Sequence, residues 1–172
     1  MNMPTAHAIR SQDRLRSRSG RGFSLIELLV VIAIMAVLAS IGMPLAELSH
    51  QRSKEEDLRR ALRDIRSALD TYKRLVDEGR VQRAADASGY PPRLEVLTEG
   101  IADAKSPQGT MIFILRRLPR DPFAAPELAD AATWGLRSYA STAQDPKAGK
   151  DVYDVFSLTP GSGLNGQAYR NW

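Results

Sequence analysis

The sequence predicts an α+β fold in which one long amino-terminal α-helix packs on a small antiparallel β-sheet. Three observations carry this prediction: an apolar run over residues 23–43, an apolar stripe at helical spacing after it, and two strand candidates near the end of the chain. Outside the apolar run and its flanks, roughly 100 residues remain for a globular part, which is enough for one small core.

The apolar run is long enough to cross a membrane. At about 1.5 Å per residue it spans a hydrocarbon layer of roughly 30 Å. Residues 1–22 hold five arginines and one aspartate, and arginine on this flank places the amino terminus in the cytoplasm. A cleaved secretory signal is the alternative, because 37–39 resembles a cleavage site that would leave Ser40 first. The length of the run and its acidic residue argue against that alternative.

Glu27 is the only charged residue between Arg21 and Glu47. A charged side chain inside a bilayer costs at least about 2.5–3.5 kcal/mol, so such a residue usually has a partner and a purpose. We therefore predict a functional role for Glu27.

An apolar stripe continues the helix beyond the run. Its members recur at intervals of three and four residues and are predicted to face the core: Leu58, Leu62, Ile65, Leu69, Tyr72 and Val76. The other faces are charged, with i,i+4 ion pairs predicted at Glu55–Arg59, Glu56–Arg60 and Asp70–Arg74. Gly79 is the predicted end of the helix. A coiled coil is the alternative, but the stripe lasts under three heptads.

Gly42 and Pro44 are predicted to kink the helix where it leaves the membrane. Proline removes a helical hydrogen bond and clashes with the preceding turn. A tolerated kink and a functional hinge are both open.

The second half of the chain has shorter elements. A short helix is predicted over 92–97, with Gly100 after its end. Residues 111–115 form a buried run, as a strand or extended chain. Strands over 133–141 and 152–158, joined by a turn-rich loop, are predicted to form a hairpin.

Composition excludes several functions. After residue 22 the chain carries 19 basic and 19 acidic residues of its 24 and 20, so no excess positive charge favours nucleic acid. There is no cysteine, and His7 and His50 lie outside the predicted globular part. Residues 55–57, all acidic, are interpreted as a solvated helix face. We therefore predict no catalytic residue, no metal site and no enzymatic activity.

Two groups of motifs resemble a known family. The basic leader, the Gly-Arg-Gly-Phe-Ser-Leu-Ile-Glu of 20–27 and the apolar run resemble the class III signal of type IV prepilins and type II secretion pseudopilins. Four pieces of the globular part occur in the order seen in major pseudopilins of type II secretion systems: 90–91, 94–97, 118–123 and 153–157.

This resemblance implies a pilin-like fold and a processing site. A membrane peptidase is expected to cut after Gly22 and to methylate the new amino terminus at Phe23, and Glu27 is expected to guide filament assembly. The implied segments are a cleaved cytoplasmic leader (1–22), a transmembrane helix (23–45), the periplasmic part of the long helix (46–79) and a globular pseudopilin domain (80–172).

The resemblance also implies a function and partners. The expected protein is a structural subunit of a type II secretion pseudopilus, a periplasmic filament that helps export folded proteins through an outer-membrane secretin. It would span the bacterial inner membrane once, with its carboxy-terminal domain in the periplasm. Implied partners are further copies of itself, the prepilin peptidase, minor pseudopilins, and an inner-membrane assembly platform with its ATPase. Alternatives are a type IV pilus subunit and a monomeric signal-anchored binding domain.

The sequence departs from the resembled family in one loop. That family carries acidic, calcium-binding residues after its Asp-Ile-Phe-Ser strand, whereas residues 158–166 contain no carboxylate. Calcium prefers six to eight oxygen ligands, and its affinity rises with ligand charge. Of the acids upstream, Asp145, Asp151 and Asp154, the last is predicted to point outward from its strand. We expect no cofactor, with calcium as the alternative, and expect glycine turns and the final aromatic residues to hold the loop.

Overall fold

The computed structural model describes residues 22–172, apart from the side chains of 41–44. The chain divides into two compact units, Met1–Pro44 and Leu45–Trp172. Helix α1 (Leu25–Asp77) contributes to both of them. The helix is continuous through positions 42 and 44. The kink predicted at Gly42 and Pro44 falls where the side chains lie outside the described ones, so it stays a prediction.

The apolar stripe of α1 forms the core of the second unit, as predicted. Its six members, Leu58, Leu62, Ile65, Leu69, Tyr72 and Val76, are all buried. From the rest of the unit, the most deeply buried members of the core are Leu94, Leu97, Val152 and Val155. Helix α1 ends at Asp77, and Gly79 then adopts a φ of +68°, a left-handed conformation that favours glycine.

The prediction of three ion pairs on α1 is wrong, because none of them forms among the described residues. Glu55 is buried rather than paired with Arg59, because its position continues the core stripe one step towards the amino terminus. The ion pairs on this helix are instead Arg60–Asp57 at 3.2 Å and Lys73–Asp77 at 2.5 Å.

A short ribbon follows the long helix. The short helix predicted over 92–97 is displaced: helix α2 runs over Val96–Glu99, so Pro92 lies before it and not in its first turn, and Gly100 follows directly after it. Strand β1 (Ile101–Ala102) pairs antiparallel with β2 (Met111–Ile112). Strand β1 was not predicted, since two residues carry no periodic signal.

The segment 111–115 is only partly buried, which corrects its prediction as a buried run. Met111 and Phe113 are 46% and 65% exposed, whereas Ile112 and Ile114 pack against the core. Successive side chains of an extended chain point to opposite faces, so half of this run faces outward.

The predicted hairpin is confirmed, with shorter strands. Strand β3 (Trp134–Arg137) pairs antiparallel with β4 (Asp154–Ser157), in a register that places Trp134 opposite Ser157. The ladder stops early because Asp151 accepts hydrogen bonds from the Ser138 hydroxyl and the Tyr139 amide, both at 2.8 Å. The strands of the described residues thus form two antiparallel ribbons, with an isolated bridge between Ser162 and Ala168, and the α+β fold class is confirmed.

Candidate functional site

The predicted processing site lies immediately before α1. Phe23 is 81% exposed, and helical hydrogen bonding begins where the Leu28 amide donates to the Ser24 carbonyl at 3.1 Å. Glu27 therefore lies in the first turn, about one helical turn along the chain from Phe23. The structure keeps Gly22, Phe23 and Glu27 within one short segment, and their roles in processing and assembly stay predictions.

Gly22 is not required by the packing of the described residues. A Cβ atom added at this position has no neighbour within 4 Å, and its φ is not left-handed. A glycine that the packing does not require is compatible with recognition by another protein. Gly22 is therefore compatible with a cleavage site.

The apolar half of α1 is unburied in the first unit. It is the described helix that is long and apolar enough to cross a membrane, judged by length and composition. From Leu25 to Leu38 its large apolar side chains are all exposed, unlike those of a core helix. Such a large apolar surface is rare on a soluble monomer and marks contact with lipid or with other chains.

A buried carboxylate of α1 holds the carboxy-terminal segment in the second unit, contrary to its prediction. Glu55 was assigned to a solvated face, but it is only 6% exposed. Its Oε1 accepts hydrogen bonds from the Leu164 amide at 2.9 Å, the Gln51 amide group at 3.1 Å and the Tyr169 hydroxyl at 3.2 Å. The available signal was its spacing, because residue 55 lies three positions before Leu58 on the same stripe.

Tyr169 is suited to be a donor in this contact. Burial is the largest influence and raises the pKa of its hydroxyl; the hydrogen bond with Gln51 lowers this pKa, and the charge of Glu55 and the hydrogen bond to it raise it. The hydroxyl therefore keeps its proton near neutral pH. Its ring stacks on Phe123 at 4.7 Å and meets Trp172 edge-on at 5.1 Å between ring centres.

A second buried carboxylate joins two of the segments that resemble the major pseudopilins. Asp121 Oδ2 accepts hydrogen bonds from the hydroxyls of Ser157 at 2.5 Å and Thr159 at 3.3 Å. Its Oδ1 accepts the Phe123 amide at 2.8 Å. Segments 118–123 and 153–157 thus meet through one fully buried side chain.

Asp154 does not simply point outward, contrary to its prediction. Arg66 of α1 donates to Asp154 Oδ1 at 2.8 Å, and Arg137 of β3 donates to Oδ2 at 2.9 Å. Arg66 also donates to the main-chain oxygens of Val155 and Trp172, at 3.1 and 2.7 Å. This arginine fastens β4 and the last residue to the long helix.

These polar groups hold the fold together. Every buried side-chain nitrogen or oxygen among the described residues has a hydrogen-bond partner. In the same part of the chain no three His, Asp or Glu side chains gather in a way that could hold a metal ion. The polar side chains described above therefore attach loops to the long helix by hydrogen bonds and ion pairs. The other feature available for function is the exposed apolar surface of α1.

Comparison with known proteins identifies the family. Residues 17–43 match the prokaryotic N-terminal methylation motif. The chain is 30% identical over 142 residues to the type II secretion system core protein G of Klebsiella michiganensis, covering 80% of this chain and 92% of that protein. It is also 30% identical over 145 residues to the core protein G of Aeromonas hydrophila, with the same two coverages.

A third relative agrees with these two. The type II secretion system core protein G of Dickeya chrysanthemi is 34% identical over 115 residues, which cover 63% of this chain and 66% of that protein. No solved structure matches the chain significantly. The methylation motif at the start of α1 and the similarity along nearly the whole length of two relatives show that the chain belongs to the family of type II secretion system core protein G, the major pseudopilins.

Proposed function

We propose that the chain is a structural subunit of a type II secretion pseudopilus. It is inserted in the inner membrane as a precursor, cut after Gly22, methylated at Phe23 and polymerised into a periplasmic filament. That filament helps to export folded proteins through an outer-membrane secretin. The observation that carries the proposal is the similarity to core protein G over 92% of two relatives, joined to an exposed apolar helix that begins at the methylation motif.

Self-assembly follows from the physics of that helix. In the membrane, lipid covers the apolar side chains of residues 25–40. In a filament outside the membrane, the same side chains need the apolar helices of neighbouring subunits, because water would leave a large apolar surface exposed. The proposed role is therefore structural and non-enzymatic.

The proposed partners follow from these steps. Cleavage and methylation require the prepilin peptidase, and extraction from the membrane requires an assembly platform and an ATPase as the source of work. Minor pseudopilins are proposed as companions in the filament. The five arginines of residues 1–22 favour a cytoplasmic amino terminus, and the globular unit then lies in the periplasm.

A gene deletion tests this function. Deleting the gene in its own host should stop release of secreted enzymes, which then accumulate in the periplasm, while surface pili and twitching motility stay normal. Expression of the full chain from a plasmid should restore release. Normal secretion together with loss of pili or motility would instead support the type IV pilus alternative.

A further inference from the structure

We propose that the carboxy-terminal segment 158–172 is closed without calcium, by the Glu55 carboxylate of α1. In the resembled family an acidic loop in this place holds a calcium ion. Here one buried side chain from the long helix supplies the fixed negative charge that binds the loop. The proposal concerns stability of the subunit and stands independently of its role in a filament.

The loop itself offers a poor set of calcium ligands. Residues 158–166 contain no carboxylate, and calcium prefers six to eight oxygens with several charged ones among them. The side-chain oxygen of Asn165 accepts the Gln167 amide at 3.0 Å. The main-chain oxygens of Gly161 and Gly163 accept the amides of Tyr169 and Gly166, at 3.2 and 2.9 Å.

Besides Glu55, two other acids near the loop already have partners within the fold. Asp154 lies between two guanidinium groups, those of Arg66 and Arg137, at 2.8 and 2.9 Å. These positive charges oppose a cation at that carboxylate. Asp121 is fully buried and holds the hydroxyls of Ser157 and Thr159.

Glu55 connects this segment to the long helix by accepting hydrogen bonds, where a calcium ion would connect it by binding oxygen atoms. Its Oε1 joins the loop through Leu164, the final turn through Tyr169 and the helix through Gln51. A carboxylate that accepts several hydrogen bonds makes stronger contacts than a neutral acceptor. One buried charge therefore fixes three parts of the chain at one point.

The aromatic residue Trp172 packs beside the same contact. A Cβ atom on Gly163 would lie 2.2 Å from Cζ2 of Trp172, so the loop can pass the indole only because this residue is glycine. The Trp172 ring lies 4.2 Å below the Arg59 guanidinium. The space beside the loop is thus filled by a side chain of the protein.

The first experiment uses the full-length processed protein in detergent. Its melting temperature is measured in about 10 mM CaCl2 and again in excess EGTA. This calcium concentration exceeds the dissociation constants of weak extracellular calcium sites, which reach the millimolar range. The proposal expects the same melting temperature in both. Since a ligand that binds only the folded state stabilises it, a rise of several degrees in calcium would overturn the proposal.

The second experiment reads the loop directly. Chymotrypsin cleavage after Leu164 and Tyr169 is followed by mass spectrometry in Glu55→Ala and in Glu56→Ala, whose side chain is exposed on the same helix. Glu55→Ala should be cleaved at least about tenfold faster in the loop, and Glu56→Ala at the wild-type rate. Equal rates in both variants, or full protection of Glu55→Ala by calcium, would overturn the proposal.

A milder variant covers the case in which Glu55→Ala does not fold. Tyr169→Phe keeps the ring and removes only one of the three donors to Glu55. Its loop should be cleaved faster than that of wild type, both with and without calcium. An unchanged cleavage rate would show that Glu55 is not the anchor.

Discussion

Cleavage after Gly22 would create a positive charge on the amine of Phe23, about one helical turn from Glu27. Glu27 is the one carboxylate within the apolar half of α1, where an unpaired charge is costly. Pairing with the amine of a neighbouring subunit would offset that cost, so we propose that Glu27 favours assembly in one axial register. The alternative is that Glu27 only reaches the membrane surface by bending its side chain.

We therefore expect Glu27→Ala to be cleaved and inserted normally but not to assemble. Cross-linking of filaments and assays of secretion measure this, and Glu47→Ala, at the next acid along the same helix, is the matched control. Lysine at position 27 should not restore assembly, since it repels the amine. Normal filaments and normal secretion with Glu27→Ala would reject the pairing.

Gly22 gives a second prediction at the scale of one residue. Gly22→Val should leave full-length precursor in the membrane, because the peptidase is expected to accept a small residue there. A Cβ atom at this position meets no atom within 4 Å in the described chain, and its surroundings are open, so the substitution should not disturb folding. Immunoblots of membranes compare it with Gly20→Val, two residues before the junction. Processed Gly22→Val of normal size would show that the cleavage site lies elsewhere.

Among single elements, the outer part of α1 carries the stability of the globular unit. Leu62 is 2% exposed within its core stripe. Leu62→Ala should cost about 2–5 kcal/mol, a large share of the roughly 5–15 kcal/mol that stabilises a typical domain.

The expected result is a melting temperature of the processed protein lower by roughly 10 °C. Circular dichroism measures it, with the exposed neighbour Arg63→Ala as control. An unchanged transition in Leu62→Ala would remove this face of α1 from the core.

The elements that the sequence predicted are those with local signals. The stripe of α1 repeats over six positions, and the β3–β4 hairpin has apolar strands on either side of a turn-rich loop. The role of Glu55 could not be predicted in the same way, because its partners Leu164 and Tyr169 are 109 and 114 residues away. Burial of a charge depends on such distant donors, and the pattern around residue 55 only shows which face it occupies.

At the scale of the whole molecule, the distance between partners along the chain also explains which ion pairs could not be predicted. Helical spacing predicted local pairs on α1 from the wrong residues, and it could not predict the pairs that join separate elements, as Arg66 and Asp154 do. The amino-terminal motif was predictable in full because it is contiguous. A contiguous motif can be recognised without knowledge of the fold.

The globular unit as a whole should lose stability in acid. The hydrogen bonds from Arg80 and from the Lys105 amide hold the pKa of Asp103 below its usual range. Burial acts to raise the pKa of Asp151, but hydrogen bonds from Ser88, the Tyr139 amide and Ser138 outweigh it and lower that pKa. Asp103 fastens the β1–β2 ribbon to the residues after α1, and Asp151 closes the loop after β3.

Their lowered pKa values set the direction of the effect. Above the ordinary aspartate pKa of about 3.9, both groups are charged in the folded and unfolded chain, and their stabilisation is complete. As the pH falls towards the lowered values, the unfolded chain binds protons first, so the free energy of unfolding decreases. Urea unfolding of the processed protein between about pH 6 and pH 3 measures this decrease. Asp103→Asn should flatten it, whereas Asp86→Asn, at a side chain 80% exposed, should follow wild type. An equally steep decrease in Asp103→Asn would show that the bond between Arg80 and Asp103 does not contribute to the stability of the fold.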